Sequence, residues 1–364
     1  MNFILTTNRR FGTIRIIRGH LTEDTQIREI FHRHGFNVVQ LRCYGGRTDS
    51  LVAFPELLNL TPNLTNVVIE TRSSIASSDD DVRLDHVLPA VKKLKNLEIF
   101  CWDQRIIKCF RKAKLNTLII REEIRSEHYG SMIEFLSSQE MLTSLTAVST
   151  WILDEVGRLN VPIPFRLTEL RITHNYDEIS SDYLSIFVRS QAQNLREIEM
   201  GWHIPSSVYE CVFASMTKLN KLSVMVDDLP QDNDFYERLQ ENASIRTIKL
   251  LDSELNESQF VDKFLKKLPN IRNVLLPNTG YVDQSVLKVV AHNLSKLESL
   301  TIGSIYEHLI GGVRLPNLKT LHIRNLYDKI NWNGFIKLHS QLVELTIEST
   351  HNLFSKLFER SVQA

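Results

Sequence analysis

The sequence predicts an α/β solenoid of about fourteen repeats of roughly 26 residues, with a parallel inner sheet and outer helices. Three observations support this prediction. A short frame of apolar residues recurs along the chain, the frame alternates like a β-strand, and segments with helical periodicity separate its copies. Self-similarity at a period of about 20–29 residues with such a frame is typical of a leucine-rich repeat. Stacked repeats of this kind form a horseshoe.

The frame is an apolar residue, two variable residues, a second apolar residue, one variable residue and a third apolar residue. In the stretch LPNLKTLHIRNL it is Leu318-Leu321-Ile323. The other copies, of which the first two are weaker, begin at Phe11, Val38, Leu64, either Leu94 or Leu97, Leu115, Leu142, Leu167, Leu195, Leu219, Ile245, Ile271, Leu297 and Leu342.

The alternation within the frame has a direct physical meaning. The second and third apolar side chains of a strand lie on one face, and the variable residues point to the other face and to solvent. One such strand cannot bury its apolar face alone. Stacked copies pair as a parallel sheet and bury each other's side chains, which stabilises the fold by roughly 1.5–3 kcal/mol per fully buried aliphatic residue.

Helical segments lie between the strands. The segment 283–296 places apolar residues near one helical face, with Asp283 as its N-cap, and the segments 180–194 and 257–270 have the same pattern. The unit that begins at Leu297 differs, because Gly311-Gly312 and Pro316 leave no room for a full helix and predict a loop. A conventional sheet with crossover helices would also alternate strands and helices, but it would not repeat one frame about fourteen times.

The predicted domain organisation is a solenoid over residues 1–350 and a capping helix with a tail over residues 351–364. A solenoid must cover the apolar residues of its last repeat. The final stretch HNLFSKLFERSVQA has an apolar helical stripe followed by polar residues, and that stripe is Leu353, Phe354, Leu357 and Phe358.

Composition restricts the function classes. Lysine and arginine balance aspartate and glutamate at 43 each, which argues against nucleic acid or an acidic membrane as the main partner. No apolar run approaches a membrane span. The four cysteines follow no paired or metal-ligand spacing, so the cytoplasm or the nucleus is the expected compartment. The chain is expected to be a monomer.

The sequence offers no support for an enzyme or a cofactor site. No phosphate-binding loop, dinucleotide fingerprint or nucleophile constellation is found. His32 and His34 are two residues apart, but a metal needs three or four converging ligands, so no metal site is expected. Two acidic stretches, within 73–81 and 228–234, are interpreted as solvated loops.

Two segments resemble a known repeat class. Residues 282–305 are similar to a pattern of a hydrophobic–Ser/Thr–Asp step, a helix and a leucine strand, and residues 179–200, which begin Ile179-Ser180-Ser181-Asp182, resemble it more closely. Among the repeats only Asn175 occupies the ninth frame position that asparagine or cysteine holds in the general repeat. These features are similar to the leucine-rich half of F-box/leucine-rich-repeat proteins, especially the divergent members common in insects. The resemblance implies the substrate-binding half of a ubiquitin-ligase receptor. No F-box is found before residue 11, so binding to the cullin adaptor is implied only where an F-box lies upstream.

The function predicted is non-enzymatic recognition of a protein ligand. Charged and apolar residues mix at variable frame positions between about 167 and 280, and such patches often bind proteins. Two alternatives use the same kind of surface: a regulator of another class, such as a GTPase-activating or inhibitor-type repeat protein, and an RNA-binding solenoid, which the neutral charge disfavours. The candidate partner-binding residues are Arg171, Glu199, Trp202, Met225, Lys249, Leu251 and Leu275.

Overall fold

A computed structural model describes twelve segments of the chain: residues 11–17, 25–44, 54–70, 92–100, 104–121, 126–148, 150–173, 182–251, 258–276, 284–306, 313–327 and 332–351. The chain divides into two compact units, Met1–Asn175 and Tyr176–Ala364. Each unit is described by itself. The predicted capping helix at 351–364 and the predicted N-cap Asp283 lie outside the described residues, except that His351 ends the last strand.

The described residues form seven strands in each unit. In the first unit they are β1 (Thr13–Ile17), β2 (Gln40–Tyr44), β3 (Asn66–Glu70), β4 (Asn96–Ile99), β5 (Thr117–Ile120), β6 (Ser144–Ala147) and β7 (Glu169–Ile172). In the second unit they are β8 (Glu197–Met200), β9 (Lys221–Met225), β10 (Thr247–Leu251), β11 (Asn273–Leu275), β12 (Ser299–Tyr306), β13 (Thr320–Tyr327) and β14 (Glu344–His351).

Short helices connect the strands. The first unit contains α1 (Thr25–His34), α2 (Phe54–Asn59), α3 (Gln104–Phe110), α4 (Tyr129–Ser137) and α5 (Trp151–Arg158), with 3-10 turns at Gly35–Asn37 and Ser126–His128. The second unit contains α6 (Tyr183–Gln191), α7 (Ser206–Ser215), α8 (Asn233–Arg238), α9 (Ser258–Lys266), α10 (Gln284–Asn293) and α11 (Trp332–Leu338). The helices predicted within 180–194, 257–270 and 283–296 are confirmed as α6, α9 and α10.

Within each unit the strands pair in chain order, and every pair is parallel. The register aligns equivalent frame positions, so that Leu300 lies opposite Leu321 and Leu321 opposite Leu345. The same alignment decides the register near residue 95. Val67 is the second apolar residue of its frame and lies opposite Leu97, so Leu97 is also a second residue and the frame begins at Leu94. Each unit has the fold of a leucine-rich-repeat solenoid.

The core lies between the sheet and the helices of each unit. Leu318, Leu321 and Ile323 are each fully buried, whereas His322 between them is half-buried. The helix α10 buries Val286, the following Leu287 and Val290 against the same core, as the helical pattern predicts. Burial of these side chains is the main stabilising contribution, because each repeat covers the apolar face of its neighbour.

The last repeat departs from the predicted burial. In the last frame Leu342, which precedes β14, and Ile347 are half-buried, and Leu345 is 37% exposed. Val343 beside them is 86% exposed. The physical reason is that β14 is the final strand, so no described repeat covers its outer side. In the unit from Leu297, residues 313–319 contain no helix, in agreement with the predicted loop, and residues 307–312 lie outside the described part.

Asparagines that precede the frame form hydrogen bonds between neighbouring repeats. The side chain of Asn63 donates to the carbonyl oxygen of Phe36 at 2.8 Å. Asn270 likewise donates to Ala243 and Asn317 to Ser295, each one repeat earlier. These asparagines stand at the residue before the first frame residue, and not at the ninth frame position, where the sequence has asparagine only at Asn175.

Buried polar residues three positions before the frame make a second set of hydrogen bonds between neighbouring repeats. The Oε1 atom of Gln139 accepts a hydrogen bond from the amide of Leu115 at 3.3 Å, and Nε2 of His339 accepts from the amide of Leu315 at 3.1 Å. The side-chain amide of Asn242 donates to the carbonyl oxygen of Met216 at 3.3 Å. Each bond joins a buried side chain to the backbone of the preceding repeat, which satisfies polar groups that would otherwise be costly to bury.

Candidate functional site

The candidate site lies on the variable face of the second unit, which we define as the sheet face carrying the variable frame residues. Because the strands are in register, these residues form rows across the sheet. The first row contains Glu197, Lys221, Thr247 and Asn273; the second contains Glu199, Ser223, Lys249 and Leu275; the third contains Met225 and Leu251. Most of these side chains are half-buried, as expected for an open sheet face.

Ion pairs cross the first two rows. The ammonium of Lys221 lies 3.0 Å from the carboxylate of Glu197 on the adjacent strand. In the second row the ammonium of Lys249 lies 3.5 Å from the carboxylate of Glu199, which is two strands away. Ser223 lies between these two residues and is 1% exposed. The prediction that Ser223 points to solvent is wrong, because its long charged neighbours close over the short side chain.

Apolar side chains occupy the positions beside these ion pairs. Met225 and Leu251 are register partners at the carboxyl ends of β9 and β10. Leu275 is the register partner of Lys249. All three apolar side chains are half-buried, so part of each is open to solvent. The structure therefore brings Met225 next to Leu251, while Leu275 lies in the row of the charged residues.

A turn after β8 positions Trp202. Gly201, the residue after β8, is buried. His203 has φ 56°, in the left-handed region that few non-glycine residues adopt. The turn is held by Asp228, whose Oδ2 accepts a hydrogen bond from the amide of Ile204 at 2.9 Å. Trp202 is half-buried at this turn, on the same unit as Met225 and Leu251.

The electrostatics of Asp228 follow from its position. Burial raises the pKa of its carboxyl group, and the backbone amides of Ile204 and His203 act in the opposite direction, together with the His203 ring. The His203 Nδ1 atom lies 3.6 Å from Oδ1 of Asp228. Asp228 belongs to the acidic stretch 228–234, in which the side chain of Asp232 caps α8 by accepting from the amide of Asp234 at 2.9 Å.

Arg171 belongs to the first unit and is described separately from the other candidates. Its guanidinium lies 3.9 Å from the carboxylate of Glu169 two residues earlier in β7, and the side chain is half-buried. The acidic stretch within 73–81 lies outside the described residues.

The described residues show no group that could hold a metal ion, since no three His, Cys, Asp or Glu side chains converge. His32 is exposed, whereas His34 is buried with its ring 5.1 Å from that of Phe11. Cys43, Cys109 and Cys211 are buried, and burial raises the pKa of the Cys43 thiol to about 12. A thiol with such a pKa is a poor nucleophile.

Among the described helices, none combines the length and the apolar character that a crossing of the bilayer requires.

Comparison with known proteins gives structural similarity at low identity. No family model and no curated protein matches the sequence. The leucine-rich-repeat protein LegL7 from Legionella pneumophila has a TM-score of 0.41 and 11% identity, over 93% of this chain and 91% of that chain. A chain of the Toll–Spatzle complex from Drosophila has a TM-score of 0.42 and 12% identity. The match covers 97% of this chain and 52% of that one, so this chain spans about half of its length.

Sequence reasoning identified the candidate residues but not their arrangement. The frame places Met225 and Lys249 on the variable face, and the structure agrees. The frame alone does not show which long side chains cover a short one, because that depends on the residues of two other strands. The pairing of Glu199 with Lys249 had one sequence signal, a short residue at the same frame position of the repeat between them.

Proposed function

We propose that the chain is a non-enzymatic protein-binding scaffold that captures its partner on the variable face of the second unit. The observation that carries the proposal is the adjacent pair Met225 and Leu251, two partly open apolar side chains in register beside the ion pair of Glu199 and Lys249. Apolar anchors next to charged groups are typical of protein interfaces. Leu275 in the next strand extends the apolar area.

The width of this face fits a protein contact. Parallel strands are about 4.8 Å apart, so the four strands β8 to β11 extend over roughly 14 Å. That distance suits the centre of a standard interface, which buries about 800 Å² on each partner. Trp202 at the end of β8 lies at one end of the strand range and provides an aromatic side chain.

The finer role that we propose is substrate selection for a ubiquitin ligase, in the cytoplasm or the nucleus, by a monomer. The similarity of residues 179–200 and 282–305 to F-box/leucine-rich-repeat proteins supports this role. The buried free thiols of Cys43 and Cys211 support a reducing compartment. Affinity capture that recovers the cullin adaptor together with the chain would support the ligase role, and recovery of a GTPase without the adaptor would contradict it.

A pair of matched double variants tests the binding face. Partners captured on the immobilised chain are identified by mass spectrometry, purified, and titrated against each variant. The double variant Met225→Ser with Leu275→Ser should weaken binding of the purified partner at least tenfold. The control, Val148→Ser with Ile119→Ser, removes half-buried apolar residues at the same two frame positions in the first unit and should change binding less than twofold.

The contradicting outcome is equally specific. If the Met225 and Leu275 variant binds normally while a shortened 228–234 loop abolishes binding, the partner contacts the loop and not the sheet. Circular dichroism of all variants verifies that folding is retained.

A further inference from the structure

A strip of lysines lies at the amino-terminal edge of β4 and β5 in the first unit. We define the lysine strip as Lys92, Lys93, Lys95, Lys112 and Lys114. All are exposed except Lys95, which is half-buried. The leucines between them, Leu94 and Leu115, are buried, so the edge presents ammonium groups with little apolar surface.

The strip is continuous across two repeats. Lys93 and Lys114 both precede the first frame leucine and so occupy equivalent positions in adjacent repeats. The amide of Asn116 donates to the carbonyl oxygen of Lys95 at 2.7 Å, which joins the two turns directly. Strand spacing places equivalent residues of the two repeats about 4.8 Å apart. Like charges this close repel one another and favour an anionic neighbour.

Within the described part of the chain, four of these lysines have no carboxylate partner: Lys92, Lys95, Lys112 and Lys114. Lys93 donates to the neutral amide oxygen of Asn63 at 2.7 Å, a bond that does not neutralise the ammonium charge. Two nearby acids are engaged with arginines, since Glu134 pairs with Arg111 and Glu98 with Arg121. The strip is therefore a local excess of positive charge in a chain whose net charge is zero.

We propose that the lysine strip binds an acidic segment of a partner protein. A run of aspartates or glutamates in extended conformation presents carboxylates on one side about every 6.6–6.8 Å, and it can contact several of these ammonium groups at once. This surface lies on the first unit and is separate from the variable face of the second unit.

The chemistry of the strip favours a protein over a nucleic acid or a bilayer. Affinity for nucleic acid grows with the number of phosphates neutralised and with aromatic stacking, yet the strip spans only two repeats and residues 92–95 and 111–116 contain no aromatic residue. A bilayer surface would be bound by apolar side chains that insert beside the charges, and Leu94 and Leu115 are buried.

Fluorescence anisotropy with a fluorescein-labelled peptide of six glutamates tests the proposal on the full chain at low ionic strength. Lys92→Gln with Lys112→Gln and Lys114→Gln should weaken binding at least tenfold. A matched triple variant of exposed lysines in the second unit, Lys218→Gln with Lys288→Gln and Lys337→Gln, changes the net charge equally and should weaken binding less than twofold. The Met225 and Leu275 variant should bind the peptide like the wild type, which separates this surface from the proposed function.

Several results would overturn the proposal. Absence of measurable peptide binding, or equal loss in both triple variants, would show that the strip is an ordinary solvated edge. Tighter lysine-dependent binding of a twenty-residue oligothymidine or of phosphatidylserine vesicles would assign the strip to another class of partner. Binding that requires prior replacement of Asp79, Asp80 and Asp81 by serine would identify the chain's own acidic segment as the occupant.

Discussion

The ammonium of Lys249 lies 3.5 Å from the carboxylate of Glu199 although the strand that carries Ser223 separates the two residues. The pair bridges three consecutive repeats of the second unit and covers the serine. Both charged side chains remain partly exposed, Lys249 at 37% and Glu199 at 22%. An ion pair this exposed to solvent adds little to the stability of the fold.

The Glu199–Lys249 pair should contribute little to stability. Glu199→Gln and Lys249→Met, alone and combined, form a double-mutant cycle whose coupling energy we expect at about 0.2–1 kcal/mol, because exposed ion pairs are screened by water and salt. Urea unfolding at low and high salt measures it, and the coupling should shrink as salt increases. A coupling of several kcal/mol that salt does not change would show that the pair is desolvated.

Leu321 should be one of the most sensitive positions of the sheet. It is fully buried and lies between Leu300 and Leu345, so Leu321→Asp buries an unpaired carboxylate and should cost several kcal/mol. The control is Thr301→Asp, a half-buried variable position opposite His322, which should change stability by less than about 1 kcal/mol. Thermal unfolding compares them, and an unchanged midpoint for Leu321→Asp would contradict the assigned frame.

The sequence predicted the fold more completely than the site. The apolar frame gave all fourteen strands and the parallel order within each unit, because burial of Leu or Ile at fixed spacing is a local pattern. It could not decide between Leu94 and Leu97, since both are apolar and only pairing with Val67 distinguishes them. The frame did not predict the hydrogen bonds of Asn63, Asn270 and Asn317, because their acceptors are backbone carbonyl oxygens one repeat earlier.

The exposed surface was harder to predict for a related reason. Ser223 was expected to point to solvent because its frame position is variable, but exposure there depends on the lengths of side chains in neighbouring strands. The same dependence explains the last repeat: Leu345 has the frame position of a core residue yet is 37% exposed, since no described repeat follows it. A one-dimensional pattern specifies which face a side chain takes, and its neighbours specify whether that face is covered.

His339 should make stability depend on pH. Burial lowers its pKa, the positive charge of Arg314 adds to this effect, and hydrogen bonds to the backbone of Phe335 and Val313 act in the opposite direction. The neutral ring accepts from the amide of Leu315 at 3.1 Å. His339 therefore binds a proton more readily in the unfolded chain than in the folded one. The stabilisation by its neutral ring is present above the usual histidine pKa of about 6.5 and is lost as pH falls below it.

The matched variant for this prediction is His339→Gln, since Gln139 makes the equivalent bond to the amide of Leu115 in another repeat. The unfolding midpoints of wild type and His339→Gln are compared from about pH 7.5 to about pH 5.5. The wild-type midpoint should fall more steeply towards acid than that of the variant. Parallel curves would show that His339 does not titrate differently in the two states.

The final repeat should need the residues that follow it. Leu345 and Val343 leave apolar surface open at β14, whose outer edge also presents unpaired backbone groups among the described residues. Exposed strand edges with apolar side chains promote aggregation. The stripe formed by Leu353, Phe354, Leu357 and Phe358 begins directly after β14 and has the spacing of one helical face, which fits a cap over this surface.

Two truncations test this capping role. Removal of residues 351–364 should lower the unfolding midpoint and produce aggregates in size-exclusion chromatography with light scattering, because the apolar surface of the last repeat loses its cover. Removal of residues 361–364 alone deletes only the polar tail SVQA and should leave a monodisperse protein of wild-type stability. The longer truncation remaining monodisperse and equally stable would mean that the last repeat tolerates water on its outer side, and that the apolar stripe serves another purpose.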